Sequence, residues 1–289
     1  MDKKTPVSDT CPTNFHLFSD YEMAKPRRAV ICLSGGMDST ALLIRLLAEG
    51  RKVYGLSFDY GQKHRIELSR LKNNLTYLRG MDLEIDSQTL DVSKLGSLFH
   101  SALTDSNWTV PTGHYEQENM KQTVVPNRNA IFSSISYGYA LSIAVQEDAE
   151  VDFSLGVHSG DHAIYPDCRP EFYDAIFKAF QIGNWDSEKV HLNLPYLNYD
   201  KTQILHDAAE SIEKLGLDFD TIFRNTCTSY QPDKDGKSHG LTGSDVERII
   251  AFHEFGRPDP VQYVAPWDEV VAQALKLEKQ HREDSTIGL

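Results

Sequence analysis

No stretch of this sequence carries enough consecutive apolar residues to cross a membrane, because a spanning helix needs about 20 of them. Residues 1–18 also lack the continuous apolar core of a secretory signal. Cysteine is scarce, and the four that occur lie far apart: Cys11, Cys32, Cys168 and Cys227. Widely spaced cysteines, one of them inside an apolar run, are typical of a reducing compartment. We therefore expect a cytoplasmic protein with no membrane partner.

Basic residues are in the minority, with 29 lysines and arginines against 42 aspartates and glutamates, and the formal net charge is −13. This charge disfavours a general affinity for nucleic acid backbones, so nucleic acid is not an expected partner. The apolar fraction of 40% and the charged fraction of 25% are ordinary for a soluble globular protein. The length of 289 residues allows one large domain or two small ones.

Short apolar runs alternate with segments whose apolar residues recur at helical spacing. The runs predict strands at 29–33, 53–58, 83–90, 151–158 and 190–194. The spacing predicts helices at 38–50, 64–78, 130–145, 170–182, 201–215 and 268–284. This alternation predicts an α/β fold with a doubly wound parallel sheet and a smaller, mostly helical C-terminal part. We divide the chain into an N-terminal extension (1–26), a central domain (27–225) and a C-terminal segment (226–289).

The segment AVICLSGGMDST, residues 29–40, predicts a strand, a turn with two glycines and the start of a helix. Several N–H groups and a helix N-terminus would then meet at one place, and such a place binds phosphate. The hydroxyls of Ser34, Ser39 and Thr40 add further donors. A plain strand–turn–helix connection is the alternative, but adjacent glycines flanked by three hydroxyl residues are more than a turn needs. The segment is not a Walker loop, because it has no lysine for the outer phosphates.

The loop resembles the S-G-G-x-D-S signature of the PP-loop ATP pyrophosphatases. The resemblance implies a fold like that of the adenine nucleotide alpha-hydrolases, with the pyrophosphate end of ATP on the loop and chemistry at the α-phosphate. A carboxylate beside phosphates needs a bridging cation, so Asp38 either meets Mg²⁺ or caps the helix. The resemblance assigns ATP binding to Leu33, Ser34, Gly35, Gly36, Asp38, Ser39 and Thr40.

Four further stretches narrow the resemblance: FDYGQKH (58–64), VVPNRNAIF (124–132), YPDCRPEF (165–172) and LPYLNYDKTQI (194–204). In this order and at these spacings they resemble the 7-cyano-7-deazaguanine synthase (QueC/ExsB) family of deazapurine biosynthesis. The similarity runs from about residue 28 to residue 227. The glycine loop alone indicates only the superfamily, whereas the combination is far more specific.

The resemblance implies an ATP-dependent carbon–nitrogen ligase that uses ATP and Mg²⁺. The carboxylate of 7-carboxy-7-deazaguanine would attack the α-phosphate and form an acyl-adenylate and pyrophosphate. Ammonia would then displace AMP and leave the amide. In the synthase a second ATP converts the amide to the nitrile, 7-cyano-7-deazaguanine. The expected partners are the deazapurine and ATP, and a homodimer is expected.

The resemblance assigns charge stabilisation to Arg128 and Lys201, which with Asp38 form the predicted catalytic group. Arg128 could instead pair with a surface carboxylate, but its loop position beside two asparagines favours a ligand role. Asp167 offers a carboxylate to the paired donors of a guanine-like edge, and a turn with solvated charges is the alternative. The predicted substrate contacts are Tyr60, Gly61, Gln62, Asn129, Asp167 and Arg169.

The family usually carries four zinc-binding cysteines near its C-terminus, and this sequence departs from that pattern. FRNTCTSY supplies Cys227, which matches the first of them, but the following QPDKDGKSHGLTGSDVERI contains none. Because a thiolate zinc site needs several close ligands, we expect zinc to be absent and predict no metal ligands. A site made of Cys227, His239 and acidic neighbours is the alternative. We interpret His158, Asp161 and His162 as polar loop residues, with metal ligation as the alternative.

The missing cysteines and the additional terminal segments indicate a diverged relative. One alternative is a QueC-like enzyme of an anti-phage operon of the CBASS type, which would join the deazaguanine to a protein amine. The nucleophile is then the only difference, and the sequence does not identify it. Lesser alternatives are a PP-loop enzyme that modifies tRNA, which the acidic composition disfavours, and an inactive nucleotide-binding module.

Overall fold

The computed structural model describes residues 27–105, 107–114, 117–162 and 164–287, so the predicted N-terminal extension and Cys11 lie outside the described residues. Five parallel strands form one sheet in the order β3-β2-β1-β4-β5. The strands are β1 (Arg28–Cys32), β2 (Lys52–Asp59), β3 (Ile85–Asp91), β4 (Val151–Ser154) and β5 (Val190–Asn193). The doubly wound parallel sheet predicted from the sequence is thus present.

Helices connect the strands and cover the sheet. They are α1 (Met37–Ala48), α2 (Ile66–Gly80), α3 (Ser93–Gly96), α4 (Arg128–Gln146), α5 (Pro170–Gly183), α6 (Lys201–Leu215), α7 (Phe219–Arg224), α8 (Gly243–Glu254) and α9 (Trp267–Ile287). Short 3₁₀ segments lie at Glu118–Thr123, Ser159–His162, Pro166–Cys168 and Ser187–Lys189. In the part of the chain that the structure describes, none of these helices is long and apolar enough to cross a membrane.

The order of the strands reverses direction beside β1. The chain runs from β1 to β2 and β3 on one side, and then crosses to β4 and β5 on the other. In open parallel sheets, ligands bind where such a reversal leaves a crevice at the carboxyl ends of the strands. The connections that follow β1 and β4 separate at this crevice. The connection after β1 is the glycine loop.

The predicted strand at 151–158 is four residues too long, because β4 ends at Ser154. Its neighbour β5 ends at Asn193, so the sheet offers no partner beyond the bond from Leu155 N to Asn193 O. Gly156 then packs against the first turn of α1, where an added Cβ would lie 3.1 Å from the carbonyl carbon of Asp38. The chain therefore leaves the sheet here and runs along the crevice.

Helix α6 has the bounds that the sequence predicts, and both ends have local causes. Asp200 accepts from Gln203 N, and Gln203 reaches back to Asp200 N, which is a capping box. Gly216 ends the helix at a φ of 65°. The apolar face of α6 packs against α1, whose Leu42 and Leu43 are fully buried.

The spacing of apolar residues does not predict two further helices: α7, at the end of the predicted central domain, and α8, in the C-terminal segment. A capping box formed by Thr242 and Asp245 starts α8. Helix α8 packs against both α6 and α9, with Val246 and Ile249 buried. The helical C-terminal part therefore lies against the same layer of helices that follows the glycine loop.

Candidate active site

A cavity of about 250 Å³ lies at the carboxyl ends of the strands, beside the reversal of strand order. The first turns of α1 and α4 line it, together with the end of β2, the segment after β4 and the start of the C-terminal part. The cavity brings together these sequence-predicted residues: Leu33, Ser34, Gly36, Asp38, Ser39, Tyr60, Arg128, Asn129 and Lys201. Outside the lining are Gly35, Thr40, Gly61, Gln62, Asp167 and Arg169.

The glycine loop takes its shape from its first glycine and leaves its helix uncapped. Gly35 has a φ of +86°, and an added Cβ would lie 2.4 Å from the carbonyl oxygen of Glu67. Gly36 is extended and precedes α1, and as the N-cap residue it has no side chain with which to cap this helix. The Oγ of Ser34 accepts from Gly36 N at 3.1 Å and lies 3.0 Å from the Oγ of Ser39. Uncapped N–H groups at a helix N-terminus favour bound phosphate.

Thr40 has a different environment from the other hydroxyls of the loop. Its side chain is buried in the interior, and its N–H donates to the carbonyl of Gly36. The predicted contact of Thr40 with ATP stays a prediction.

A buried lysine connects the loop to two other parts of the chain. Lys201 starts α6, and its Nζ lies 3.4 Å from Asp38 Oδ2 and 2.8 Å from Glu247 Oε2 on α8. The same Nζ lies 2.7 Å from Nε2 of His158, a fully buried residue in the segment after β4. Burial alone would lower the pKa of Lys201, but the carboxylates of Asp38 and Glu247 outweigh it and raise that pKa. The cavity therefore holds a permanent cation beside the loop.

One carboxylate oxygen of Asp38 is available to bind a cation. Among the described residues its Oδ1 is buried without a hydrogen-bond partner, while Oδ2 faces Lys201. Mg²⁺ binds through one or two carboxylates together with phosphate oxygens, so Asp38 fits an ion that a nucleotide brings with it. Across the described ranges, no group of three or more His, Cys, Asp or Glu side chains could hold a metal without such a ligand.

Arg128 is the cation on the opposite wall. It starts α4, and its guanidinium donates to the Tyr60 hydroxyl at 3.4 Å and lies 6.0 Å from the centre of that ring. Within the described parts of the chain, no carboxylate lies within 4.0 Å of this guanidinium. A half-buried guanidinium without a counter-ion fits an anionic ligand.

Aromatic side chains form the wall next to Arg128. Phe58 and Phe132 stack with their ring centroids 4.1 Å apart, and Tyr60 lies 5.5 Å from Phe132. All three line the cavity, and so does Tyr230 from the C-terminal segment. A wall of this kind suits a flat ring.

A buried pair, His64 and Glu67, also lines the cavity and is not among the sequence-predicted site residues. His64 Nε2 lies 3.5 Å from Glu67 Oε2. Burial raises the pKa of Glu67 to about 8, and burial together with Arg128 lowers the pKa of His64 to about 3. Gln62 lies behind the pair and donates to Glu67 Oε1 at 2.9 Å, so its contact is with Glu67.

The remaining residues that the sequence predicts to contact substrate lie outside the lining of the cavity and hold the segments around it. Gly61 forms a turn at a φ of +79°. Asp167 accepts from Asn129 N at 3.4 Å, and Arg169 donates to the carbonyl of His162 at 2.8 Å. Direct substrate contacts from Gly61, Gln62, Asp167 and Arg169 stay predictions.

The segment that matches the first zinc cysteine is held by hydrogen bonds. Cys227 N donates to the carbonyl of Gly35 at 2.9 Å, which ties the segment to the glycine loop. Burial raises the pKa of the Cys227 thiol to about 11, so it stays protonated. The carboxylate of Asp245 accepts from the hydroxyls of Ser229, Ser238 and Thr242. Within the described residues this arrangement does not fit a thiolate zinc site.

The parallel sheet, the glycine loop at its reversal point and the cavity beside it, together with the relatives named below, identify an ATP-dependent enzyme of the ligase type. The family model described as "Queuosine biosynthesis protein QueC" matches residues 28–256. The chain belongs to this QueC family, as the motifs of the sequence predict.

Named relatives match almost over their whole length. "7-cyano-7-deazaguanine synthase 2" of Colwellia psychrerythraea is 43% identical over 238 residues, which are 82% of this chain and 99% of the relative. "7-cyano-7-deazaguanine synthase" of Caldicellulosiruptor saccharolyticus is 40% identical over 244 residues, which are 84% of this chain and 99% of the relative. The protein of the same name from Methanoregula boonei is 39% identical over 236 residues, 82% of this chain and 99% of the relative.

Proposed function

We propose that the protein uses ATP to activate the carboxylate of 7-carboxy-7-deazaguanine and passes the acyl group to an amine, with release of AMP and pyrophosphate. With ammonia the product is the amide, and a second ATP would convert the amide to 7-cyano-7-deazaguanine. The names of the relatives support this substrate class. The observation that carries the proposal is Arg128, a cation that has no carboxylate partner in the described part of the chain and lies beside an aromatic wall.

The first step joins the substrate to the nucleotide. A carboxylate oxygen of the deazapurine attacks the α-phosphorus of ATP, and the bond from that phosphorus to the bridging oxygen of pyrophosphate breaks. The uncapped start of α1 and the hydroxyls of Ser34 and Ser39 hold the departing pyrophosphate. Lys201 neutralises charge that develops between loop and nucleotide. Mg²⁺, when bound at Asp38, would supply further neutralisation of the phosphate charge.

The negative charge and flat ring of the proposed substrate match the wall of the cavity that lies opposite the glycine loop. Arg128 would pair with the carboxylate and orient it for in-line attack, since a guanidinium binds a carboxylate through two parallel hydrogen bonds. Phe132 and Tyr60 would contact the flat ring. In the second step the amine attacks the carbonyl carbon of the adenylate, and the bond to AMP breaks.

The test is turnover of 7-carboxy-7-deazaguanine with ATP and an ammonium salt, followed by mass analysis of all products. AMP and pyrophosphate in equal amounts, with amide or nitrile, support the proposal. A mass increase on a protein amine identifies the nucleophile of the anti-phage alternative. AMP release that depends on tRNA and not on the deazapurine contradicts the proposal, and so does ATP binding without turnover.

The Arg128→Ala variant tests the observation on which the proposal depends. A charge-assisted hydrogen bond contributes about 1.5–3 kcal/mol, so the KM for the deazapurine acid should rise about 10- to 100-fold while ATP binding is retained. Arg257→Ala is the control, because Arg257 lies outside the cavity lining, in the turn after α8, where it pairs with Asp220. An unchanged KM in Arg128→Ala contradicts the assigned role.

A further inference from the structure

His64 and Glu67 lie directly behind the glycine loop, at the start of α2. The backbone of Glu67 touches the loop, since an added Cβ on Gly35 would meet the carbonyl oxygen of Glu67 at 2.4 Å. Both side chains are more than nine-tenths buried, and both line the cavity that holds Asp38, Lys201 and Arg128. The pair is therefore next to the place where the adenylate would form.

The contacts of the pair leave one nitrogen unused. Glu67 Oε1 accepts from Gln62 Nε2 at 2.9 Å, and Oε2 lies 3.5 Å from His64 Nε2. Gln62 is itself fixed, because it accepts from Tyr60 N and donates to the carbonyl of Phe58. His64 Nδ1 is buried and has no hydrogen-bond partner among the described residues. A histidine that one partner orients and whose second nitrogen is free can act as a proton carrier.

Below about pH 8 both members of the pair are mostly uncharged, and above it Glu67 is ionised and can accept a proton. Burial lowers the pKa of His64 to about 3 and raises the pKa of Glu67 to about 8. Once Glu67 is ionised, a proton taken up by the pair is thus more stable on Glu67 than on the imidazole. Arg128 is the charged group that acts on both, and it opposes a charged imidazole.

The second step of the proposed reaction requires a proton acceptor. When the amine nitrogen bonds to the carbonyl carbon of the adenylate, that nitrogen becomes positively charged. It must lose a proton before AMP leaves, or the amine departs again. Lys201 and Arg128 cannot take this proton, because Lys201 is already protonated and Arg128 is always protonated. Asp38 is engaged by Lys201 and, in the proposed first step, by Mg²⁺.

We propose that His64 accepts the proton released by the attacking amine when Glu67 is ionised, and that the carboxylate of Glu67 positions His64 and receives the proton from it. The amine N–H proton goes to Nδ1 of His64, and the proton on Nε2 goes to Oε2 of Glu67. The new C–N bond forms with the lone pair of the amine, and the C–O bond to AMP breaks with its electrons on the phosphate. This inference rests on the proposed function and concerns its second step only.

The experiment separates the two steps in the wild-type protein and in His64→Asn and Glu67→Gln. Exchange of labelled pyrophosphate into ATP, dependent on 7-carboxy-7-deazaguanine, measures adenylation. Amide formation with an ammonium salt measures the complete reaction, and hydroxamate formation with hydroxylamine replaces the amine by one that loses its proton more readily. His253→Asn is the control, because His253 is exposed on α8 and outside the cavity lining.

We expect exchange in both variants to stay within about threefold of the wild type, while kcat for amide formation falls about 100-fold or more and the KM for ammonium stays similar. Hydroxylamine should restore most of the rate. Retained exchange also shows that the variants are folded and bind both substrates.

The inference is overturned if exchange and amide formation fall together, if amide formation is unaffected, or if hydroxylamine restores nothing. Absence of exchange in the wild type would instead refute the proposed function, and the inference with it. The two failures are therefore distinguishable in one set of measurements.

Discussion

Gly35 is the residue that determines the shape of the phosphate loop. Its φ of +86° disfavours any side chain, and a Cβ would clash with the carbonyl oxygen of Glu67. We predict that Gly35→Ala loses ATP-dependent turnover and about 2–4 kcal/mol of unfolding free energy, from backbone strain together with the clash. Urea unfolding and AMP release measure the two effects.

Gly50→Ala is the matched control for this variant. Gly50 has a φ of +74°, but an added Cβ would meet nothing within 4 Å. It therefore isolates the backbone strain of about 1–2 kcal/mol and should leave turnover unchanged. Equal effects of the two variants would show that contact with Glu67 is unimportant.

Asp38 combines a buried, unpartnered oxygen with a contact to Lys201. We predict that Asp38→Ala lowers AMP production at least about 100-fold with little loss of stability, because the change removes a charge at the phosphate site and no core volume. Turnover assays and thermal unfolding check this. Asp148→Ala, at a 90% exposed side chain, is the control. Normal turnover in Asp38→Ala would mean that the site is misplaced.

At the scale of elements, local signals made the fold predictable. Glycines, apolar runs and the cap at Asp200 lie within a few residues of the strands and helices that they define. The sequence pattern does not predict the start of α8, because Gly243 and Ser244 are poor helix formers. Thr242 and Asp245 nevertheless have the spacing of a capping box.

The site was predictable to the same extent, from motifs that follow strands. The glycine loop and Arg128 each lie in a short motif beside the cavity. Glu247 could not be found this way, because it meets Lys201 only through the packing of α8 on α6. His64 lies within a quoted motif, but its pairing with Glu67 depends on the first turn of α2.

One carboxylate organises the segment at 227–245. Asp245 is buried and accepts from Ser229, Ser238 and Thr242. We predict that Asp245→Ala lowers the unfolding free energy by about 2–4 kcal/mol, because three buried hydroxyls lose their acceptor. Urea unfolding measures the loss, and Asp235→Ala, at an exposed position of the same segment, should be neutral.

Metal analysis completes this test. The purified protein should contain well under one equivalent of zinc, and a chelator should leave its thermal unfolding unchanged. A full equivalent of zinc would contradict our interpretation of the segment.

At the scale of the whole molecule, the C-terminal part and the central sheet meet at the active site. Cys227 binds the backbone of Gly35, Glu247 contacts Lys201, and Tyr230 lines the cavity. Unfolding of the C-terminal part should therefore remove activity together with stability. Near this contact lies Glu67, which makes the unfolding free energy of the whole protein depend on pH.

Glu67 has a pKa of about 8 in the folded protein, raised by burial from an ordinary value of 4.5. Between these values the folded state binds more protons than the unfolded state, so the unfolding free energy decreases as pH rises. His64 makes the unfolding free energy increase with pH, because burial lowers its pKa. That effect is confined to pH values below 6.5, the ordinary pKa of histidine. From pH 6.5 to pH 8 the loss attributable to Glu67 reaches about 2 kcal/mol.

The Glu67→Gln variant tests this contribution, because glutamine keeps the size of the side chain and cannot ionise. Its unfolding free energy, measured in urea at pH 6.5 and pH 8, should decrease less than that of the wild type by up to about 2 kcal/mol. Glu84→Gln, at an exposed glutamate, should follow the wild type. If the wild type and Glu67→Gln lose the same amount, Glu67 is already ionised at pH 6.5, and burial does not hold its proton.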